Sequence, residues 1–322
     1  MMPYRSVSSF YKEKFGQKIY KISFDIGCTC PNRDGTKGFG GCSFCSEGGS
    51  GDFAEKIDVF DGNNLEFSIK SAICKAKNRV IAKMPKTSDG NQKFIAYFQS
   101  FTNTYERTLG FERLIKIFRE TAKSEQIVGI AIGTRPDCLT DKMLDFLSEL
   151  SKQTYVQLEF GLQTCSDKTA SLINRAYPTQ IYKQTMKRVK DKAPKIHVVT
   201  HIIFGLPGED EKMMMESVKF AINCKTDGIK ITCLHILKGT RLGDKFLENE
   251  QTNSSPNSID GIPFRTLEME EYLLLIEHAL DNIPPDVVIH RLTGDGDKKL
   301  LIAPLWSANK KLVLNSLSRR LN

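Results

Sequence analysis

Cys28-Thr-Cys30-Pro-Asn-Arg-Asp-Gly-Thr-Lys-Gly-Phe-Gly-Gly-Cys42-Ser-Phe-Cys45 holds four of the chain's nine cysteines within eighteen residues. The run starts just after Ile19–Phe24, a β-branched and aromatic stretch that reads as a first strand. Its glycines rule out a regular element, so the segment is expected to wrap around something. Met1–Phe15 shows no apolar signal core, and no run of about eighteen apolar residues exists anywhere. A cytoplasmic protein without a membrane partner is therefore expected, its cysteines serving as thiols or metal ligands rather than disulfides. Two metal solutions fit the spacing. One is zinc on four thiolates; the other is an iron–sulfur cluster on three, with one iron left open. Cys28-x-Cys30 is tighter than the usual zinc knuckle, but spacing alone leaves both standing.

Outward from this run, short apolar segments recur at Phe94–Phe98, Ile127–Ile132, Tyr155–Phe160, Ile196–Phe204, Gly228–Ile236 and Val287–Ile289. Helical patterns lie between most of them: Glu112–Ala122, Asp141–Leu150 behind a Thr140 cap, Asp167–Asn174 and Glu211–Ala221. Strand and helix alternating at this spacing predict an α/β chain of parallel (βα) repeats. Such repeats build either a partial TIM-like barrel or a doubly wound sheet. A barrel would place its site in the loops at the strand C-terminal ends. Leu247–Ile262 reads as a long polar loop and Phe264–Asn282 as a helix. Residues 1–240 are taken as the core, with the cluster loop at 28–45. Residues 241–322 are taken as a C-terminal extension whose loop, helix and short strand close the barrel.

Further motifs extend the cysteine run. They are Gly49-Ser50-Gly51-Asp52-Phe53-Ala54, Tyr97-Phe98-Gln99-Ser100-Phe101-Thr102-Asn103-Thr104-Tyr105, Gly133-Thr134-Arg135-Pro136-Asp137 and Gly161-Leu162-Gln163-Thr164. Ile173-Asn174-Arg175, Gly205-Leu206-Pro207-Gly208 and His290-Arg291-Leu292-Thr293-Gly294-Asp295-Gly296 complete the series. In this order they resemble the radical S-adenosylmethionine (SAM) superfamily. The nearest likeness is to its YhcC/YtqA (MnmL) group, related to the Elongator catalytic subunit and the oxygen-independent coproporphyrinogen oxidases. The resemblance implies the barrel form of the fold, a [4Fe-4S] cluster and S-adenosyl-L-methionine as cofactors. It implies Cys30, Cys42 and Cys45 as the cluster ligands, with Cys28 a spare. It implies SAM contacts from Phe44 by its backbone, from the Ser100-Phe101-Thr102 turn, and from Gln163 and Arg175. Arg175 would take the SAM carboxylate, which a guanidinium fork suits. Where related enzymes carry acids, this chain has Gly133 and His201, and His201 is carried over as a SAM neighbour. Cys74, Cys138, Cys165, Cys224 and Cys233 are expected to be small core residues.

Lys and Arg number 46 against 38 Asp and Glu, a net charge of +8, but placement says more than the total. Basic residues crowd 70–93, 183–195 and the stretch beyond Asp297, while nine acids gather at 244–281. Such segregation fits either a polyanionic partner or ordinary solvated helix faces. With the resemblance, it suggests tRNA as partner and a wobble uridine as substrate. The reaction expected is conversion of 5-carboxymethylaminomethyluridine to 5-aminomethyluridine, served by a one-electron reductant such as flavodoxin or ferredoxin. Two rivals remain: the same radical chemistry on a small molecule or peptide, and a zinc-stabilised RNA-binding module without catalysis.

Overall fold

The computed structural model describes residues 4–49, 54–59, 64–82, 91–252, 257–294 and 298–321. It opens with helix α1 (Val7–Phe15), capped by the Ser6 hydroxyl, and strand β1 (Tyr20–Asp25). The cysteine run follows, then β2 (Glu55–Lys56), α2 (Leu65–Ile81) and β3 (Phe94–Phe98). Next come α3 (Phe111–Lys123), β4 (Ile127–Thr134), α4 (Asp141–Leu150) and β5 (Tyr155–Gln163). After them lie α5 (Asp167–Leu172), α6 (Thr179–Lys192), β6 (His197–Phe204), α7 (Glu211–Asn223) and β7 (Gly228–Cys233). The last third holds β8 (Ile236–Leu237), α8 (Arg241–Thr252), the hairpin β9 (Ser258–Ile259) and β10 (Ile262–Pro263), and α9 (Met269–Asp281). β11 (Val288–Arg291), β12 (Leu301–Ala303) and α10 (Lys310–Arg320) end the chain.

Eight strands form one sheet in the order β11-β7-β6-β5-β4-β3-β1-β2, every pair parallel. β1 and then β3 to β7 therefore run round the sheet in a single direction, with helices between most of them, and the two-residue β2 sits on the outer edge beside β1. A doubly wound sheet would reverse its strand order part-way. The architecture is the partial TIM-like barrel, and β11 from the C-terminal extension is one of its edges. The N-terminal segment meets that edge, since Ile289 N donates to the Arg5 carbonyl at 2.8 Å.

Alternation along β5 shows how the sequence builds two faces. Val156, Leu158, Phe160 and Leu162 point outward, are fully buried and belong to the main core under the helices. Tyr155, Gln157, Glu159, Gly161 and Gln163 point into the barrel. An ordinary barrel interior is filled by branched aliphatics. This one carries polar groups on β5, and β4 offers it only Gly129, Ala131 and Gly133.

Four sequence expectations change. Helix α8 begins at Arg241, so the expected loop at 247–262 is half helix and half hairpin, and its 253–256 segment lies outside the described residues. Its apolar anchors Leu242 and Phe246 are one turn apart and precede most of the polar stretch. Helix α9 starts at Met269 rather than Phe264 because Glu268 and Glu271 form a reciprocal capping box. The strand expected at 228–236 breaks after Cys233, and Ile236–Leu237 pairs with β12 instead. Among the cysteines, Cys138 and Cys233 are buried as expected, Cys165 and Cys224 are half-buried, and Cys74 is exposed.

Candidate active site

The cysteine run crosses the strand C-terminal end of the barrel and is tied there from both flanks. Ser43 N donates to Ile173 O at 2.9 Å, and Leu242 N to Ser43 O at 2.9 Å. Asn174 donates its side-chain amide to the Phe39 and Gly41 carbonyls, while Asn32 donates to Asn174 O. Arg33 holds the carbonyls of Cys45 and Ser46. These bonds replace the regular structure that the glycines forbid. Gly49 closes the run against Phe101: with φ +58 it has no Cβ to strike the ring, and its carbonyl accepts from Phe101 N at 3.2 Å.

Cys30, Cys42 and Cys45 lie half-buried in this frame, none in a disulfide. Burial, Cys45 and Cys30 together push the Cys42 thiol up to about 12, and Arg135 pulls against them. The three thiols thus lie within mutual electrostatic reach. Among the described residues no three His, Cys, Asp or Glu side chains are set around a single ion. A cubane binds each thiolate at a different iron, so its ligands need to surround a larger object than one ion does. Cys28 instead packs in the main core, its thiol pushed up to about 12 by burial and by Asp25.

The turn after β3 reaches the same end. Thr102 N donates to Thr29 O at 3.3 Å, and the Arg33 guanidinium sits 5.3 Å from the Phe101 ring. Ser100 is buried, and its hydroxyl has no hydrogen-bond partner among the described residues. An orphaned buried hydroxyl on the turn that is bonded to the cysteine run is what a site shaped for a polar ligand leaves behind. Phe44 packs with Ile203, Leu206 and Leu234, where β6 and β7 end. Gln163 ends β5 with φ +61, and its amide nitrogen faces the Leu162 and Gly161 carbonyls at 3.0 and 2.8 Å. Gly161 permits this fold-back, because a Cβ there would lie 2.3 Å from the Gln163 side chain.

The other two site residues are placed differently. Arg175 is 1% exposed and donates to the carbonyls of Leu162, Thr164 and Tyr177 and to the Thr179 hydroxyl. Its fork is filled by the protein, so it positions the end of β5 and has no free edge for the SAM carboxylate. His201 lies mid-barrel, in register with Lys230 and bonded to the Thr232 hydroxyl at 3.1 Å. Burial, then Lys230 and Arg291, drive its pKa down to about 3, so the ring is neutral.

Sequence reading passed over two residues of the mouth. Arg135 clamps Asp137 through two bonds of 2.9 Å and is the cation that acts on the Cys30 and Cys42 thiols. Its signal was Thr134-Arg135-Pro136-Asp137, quoted for resemblance and not for charge. Glu209, next after the Gly205-Leu206-Pro207-Gly208 turn, accepts from the Thr164 hydroxyl at 2.5 Å, and its second oxygen has no partner. Burial pushes that carboxyl up to about 7. Of the closing motif, Asp295 and Gly296 lie outside the described residues, as do Ser50 to Phe53.

Several cations of the basic segments are paired with carboxylates. On α6, Lys187 pairs with Asp191, Arg188 with Asp141, Lys190 with Asp227 and Lys192 with Asp141. On α2, Lys70 pairs with Glu66, and Arg79 with Glu55.

Residues 30–221 match the family model of the Radical SAM superfamily, and residues 226–322 that of the Radical SAM C-terminal domain. YtqA of Bacillus subtilis (strain 168) is 40% identical over 318 residues, 99% of this chain and 89% of that one. A tRNA-2-methylthio-N(6)-dimethylallyladenosine synthase of Syntrophus aciditrophicus (strain SB) is 22% identical over 223 residues, 69% of this chain and 47% of that one. The solved structure of the archaeal Methanocaldococcus infernus Elp3, 14% identical, superposes with a TM-score of 0.58 over 94% of this chain and 63% of that one. That last likeness shows the fold. The zinc-stabilised, non-catalytic reading is overturned by the family match.

Proposed function

The chain belongs to the radical SAM superfamily, and on that premise we propose that it modifies the wobble uridine of tRNA, converting 5-carboxymethylaminomethyluridine to 5-aminomethyluridine. Its cofactors are a [4Fe-4S] cluster and S-adenosylmethionine, and turnover needs a one-electron reductant, of the flavodoxin or ferredoxin kind in this proposal. Bound there, the pair supplies a 5′-deoxyadenosyl radical able to take a hydrogen atom from an unactivated C–H bond. Cys30, Cys42 and Cys45 would hold the cluster, and Arg135 offsets the negative charge they bring. Phe44, the Ser100 hydroxyl with the Phe101-Thr102 backbone, and Gln163 would hold SAM; Arg175 supports Gln163 from behind. His201 stays neutral, buried mid-barrel and bonded to the Thr232 hydroxyl.

On the substrate, the glycyl methylene lies between an amine nitrogen and a carboxylate, both of which stabilise a radical. Loss of one hydrogen atom and one electron gives an iminium ion, which sheds a proton to become an imine, and water cleaves it to the amine and glyoxylate. The electron released equals the one consumed in cleaving SAM, so the exchange balances without an added oxidant.

The observation that carries the reading is that the run bearing the three thiols is bonded to the turn bearing the orphaned Ser100 hydroxyl, at the strand C-terminal end of the barrel. Support for tRNA comes from the relative named as a tRNA synthase and from the Elongator-like motifs. Comparing modified nucleosides of tRNA from cells with and without the gene tests it. The account expects 5-carboxymethylaminomethyluridine to accumulate when the gene is lost; an unchanged profile contradicts it. One observation favours a small-molecule or peptide substrate instead. Lys187, Arg188, Lys190 and Lys192 of α6 are each paired with a neighbouring carboxylate, which reduces the charge that face offers RNA.

A further inference from the structure

Asn32 lies inside the cysteine run, 0% exposed, between Cys30 and Cys42 in the chain. Backbone bonds fix it there. Its carbonyl accepts from Gly41 N at 2.8 Å, and beside it the Cys30 and Pro31 carbonyls accept from Arg33 N and Lys37 N, each at 2.8 Å. The side-chain amide then has little freedom. It donates to the Asn174 carbonyl, and its nitrogen also lies 3.8 Å from Cys42 Sγ as the donor of an N–H···S hydrogen bond. Those partners settle the orientation: with oxygen and nitrogen exchanged, Oδ1 would face two acceptors.

The other end of the amide is left unmatched. Oδ1 is buried and has no hydrogen-bond partner among the described residues. It is pressed against Gly38, where a Cβ would lie 2.3 Å from it. A buried acceptor without a donor costs about 1–3 kcal/mol, and such a group in a native structure calls for a reason. Tying the run to Asn174 needs only one N–H, and backbone bonds already hold the loop. What the second N–H adds is a donor on the Cys42 sulfur. Hydrogen bonds to the sulfurs are among the levers that set an iron–sulfur potential.

We propose that Asn32 is a positioning residue for the redox step, its N–H on Cys42 Sγ raising the cluster's reduction potential toward the reach of a one-electron donor. Reduction adds one negative charge to the cluster and its thiolates, and a donor aimed at a sulfur stabilises the more charged state. The electron is supplied by the reductant class already named, and no further co-reactant is needed. The inference rests on Cys42 as a cluster ligand and is independent of the uridine substrate.

The test uses the full chain, reconstituted anaerobically with iron and sulfide. It reads iron content and the midpoint potential of the cluster by an EPR-monitored redox titration. Asn32→Leu keeps the bulk of the side chain and removes the donor. The cluster should then be about tenfold harder to reduce, the scale of a hydrogen bond to a charged group, which is a fall of about 59 mV for a one-electron couple. Asn32→Asp puts a carboxylate oxygen where the donor stood and should lower the potential further. Asn174→Ala is the structural control. It removes the amide bonds to the Phe39 and Gly41 carbonyls but leaves Asn32 on Cys42, and should keep the wild-type potential. Because Asn32→Leu could lose its cluster, a second measurement uses wild type alone. With asparagine side chains labelled with the heavy nitrogen isotope, pulsed EPR of the reduced cluster should show a coupled amide nitrogen. A wild-type potential in Asn32→Leu, an equal fall in Asn174→Ala, or no coupled nitrogen in wild type would overturn the proposal. Full cluster retention in Cys42→Ala would overturn it through the ligand assignment. A lowered potential in Asn32→Leu, together with tRNA that the wild type leaves unmodified, supports this inference and sinks the wobble-uridine reading alone.

Discussion

At the mouth of the barrel the protein leaves groups open: among the described residues the buried Ser100 hydroxyl and one carboxylate oxygen of Glu209 have no hydrogen-bond partner, and Cys30, Cys42 and Cys45 are in no disulfide. One layer deeper, Glu159 is bonded by Gln157 at 2.5 Å, by Lys21 at 2.7 Å and by Lys230. The mouth is held by backbone, through carbonyls fixed by Asn32, Arg33 and Asn174, whereas the deeper layer is held by charge. Under the proposed function the open groups of the mouth await the cluster and SAM, whereas the deeper layer stands without a ligand.

The contrast can be broken most severely at the mouth. Replacing Cys30, Cys42 or Cys45 by Ala should abolish iron retention and 5′-deoxyadenosine release, measured anaerobically. Cys28→Ala should keep both and cost only stability, about 1 kcal/mol for a small core truncation. Iron lost from Cys28→Ala as fully as from Cys42→Ala would redraw the ligand set.

In the deeper layer Glu159→Gln leaves two lysines without their carboxylate and should destabilise the fold by about 3–5 kcal/mol, read by chemical denaturation. The pH dependence sharpens this. Burial opposes ionisation, yet Lys21 and Lys230 hold Glu159 well below 4.5. Its contribution is therefore present above pH 4.5 and is lost as pH falls through the lower native value. His197 and His201, each brought down to about 3, bind protons more readily when unfolded. Their share of stability is complete above pH 6.5 and drains away between 6.5 and about 3. Wild type should thus begin to weaken below pH 6.5, and His201→Gln should blunt that early loss.

A milder effect is expected at Arg135. Lys in its place keeps the charge but not the two-point grip on Asp137, and iron affinity should fall about tenfold to a hundredfold, as for other groups that orient metal ligands. The smallest effect belongs to α6. Reversing Lys187, Arg188 and Lys190 should weaken a tRNA gel shift by only a few-fold, because each already has an acid beside it. Loss of the shift altogether would give α6 an RNA-binding role that its ion pairs argue against.

The sequence exposed the parts of this fold that are local. β-branched runs marked the strands, Thr140 marked the start of α4, and the cysteine run marked the mouth. What escaped it depends on residues distant in the chain. Lys21, Glu159 and Lys230 each look ordinary in their own strands, and only the closing of the sheet makes them one layer. Basic residues 183–195 formed a conspicuous run, but Asp141, Asp145 and Asp227 reach α6 from other elements and pair with Arg188, Lys190 and Lys192. Arg175 matched a ligand-binding position by spacing, while the bend after α5 turned its fork back onto the chain's own carbonyls.

The central claim is that Cys30, Cys42 and Cys45 carry a cluster that cleaves SAM. The direct measurement is release of 5′-deoxyadenosine and methionine after anaerobic reconstitution with iron and sulfide and reduction by dithionite. The account predicts a brown protein that releases both in equal amounts. A colourless protein that releases neither would contradict it.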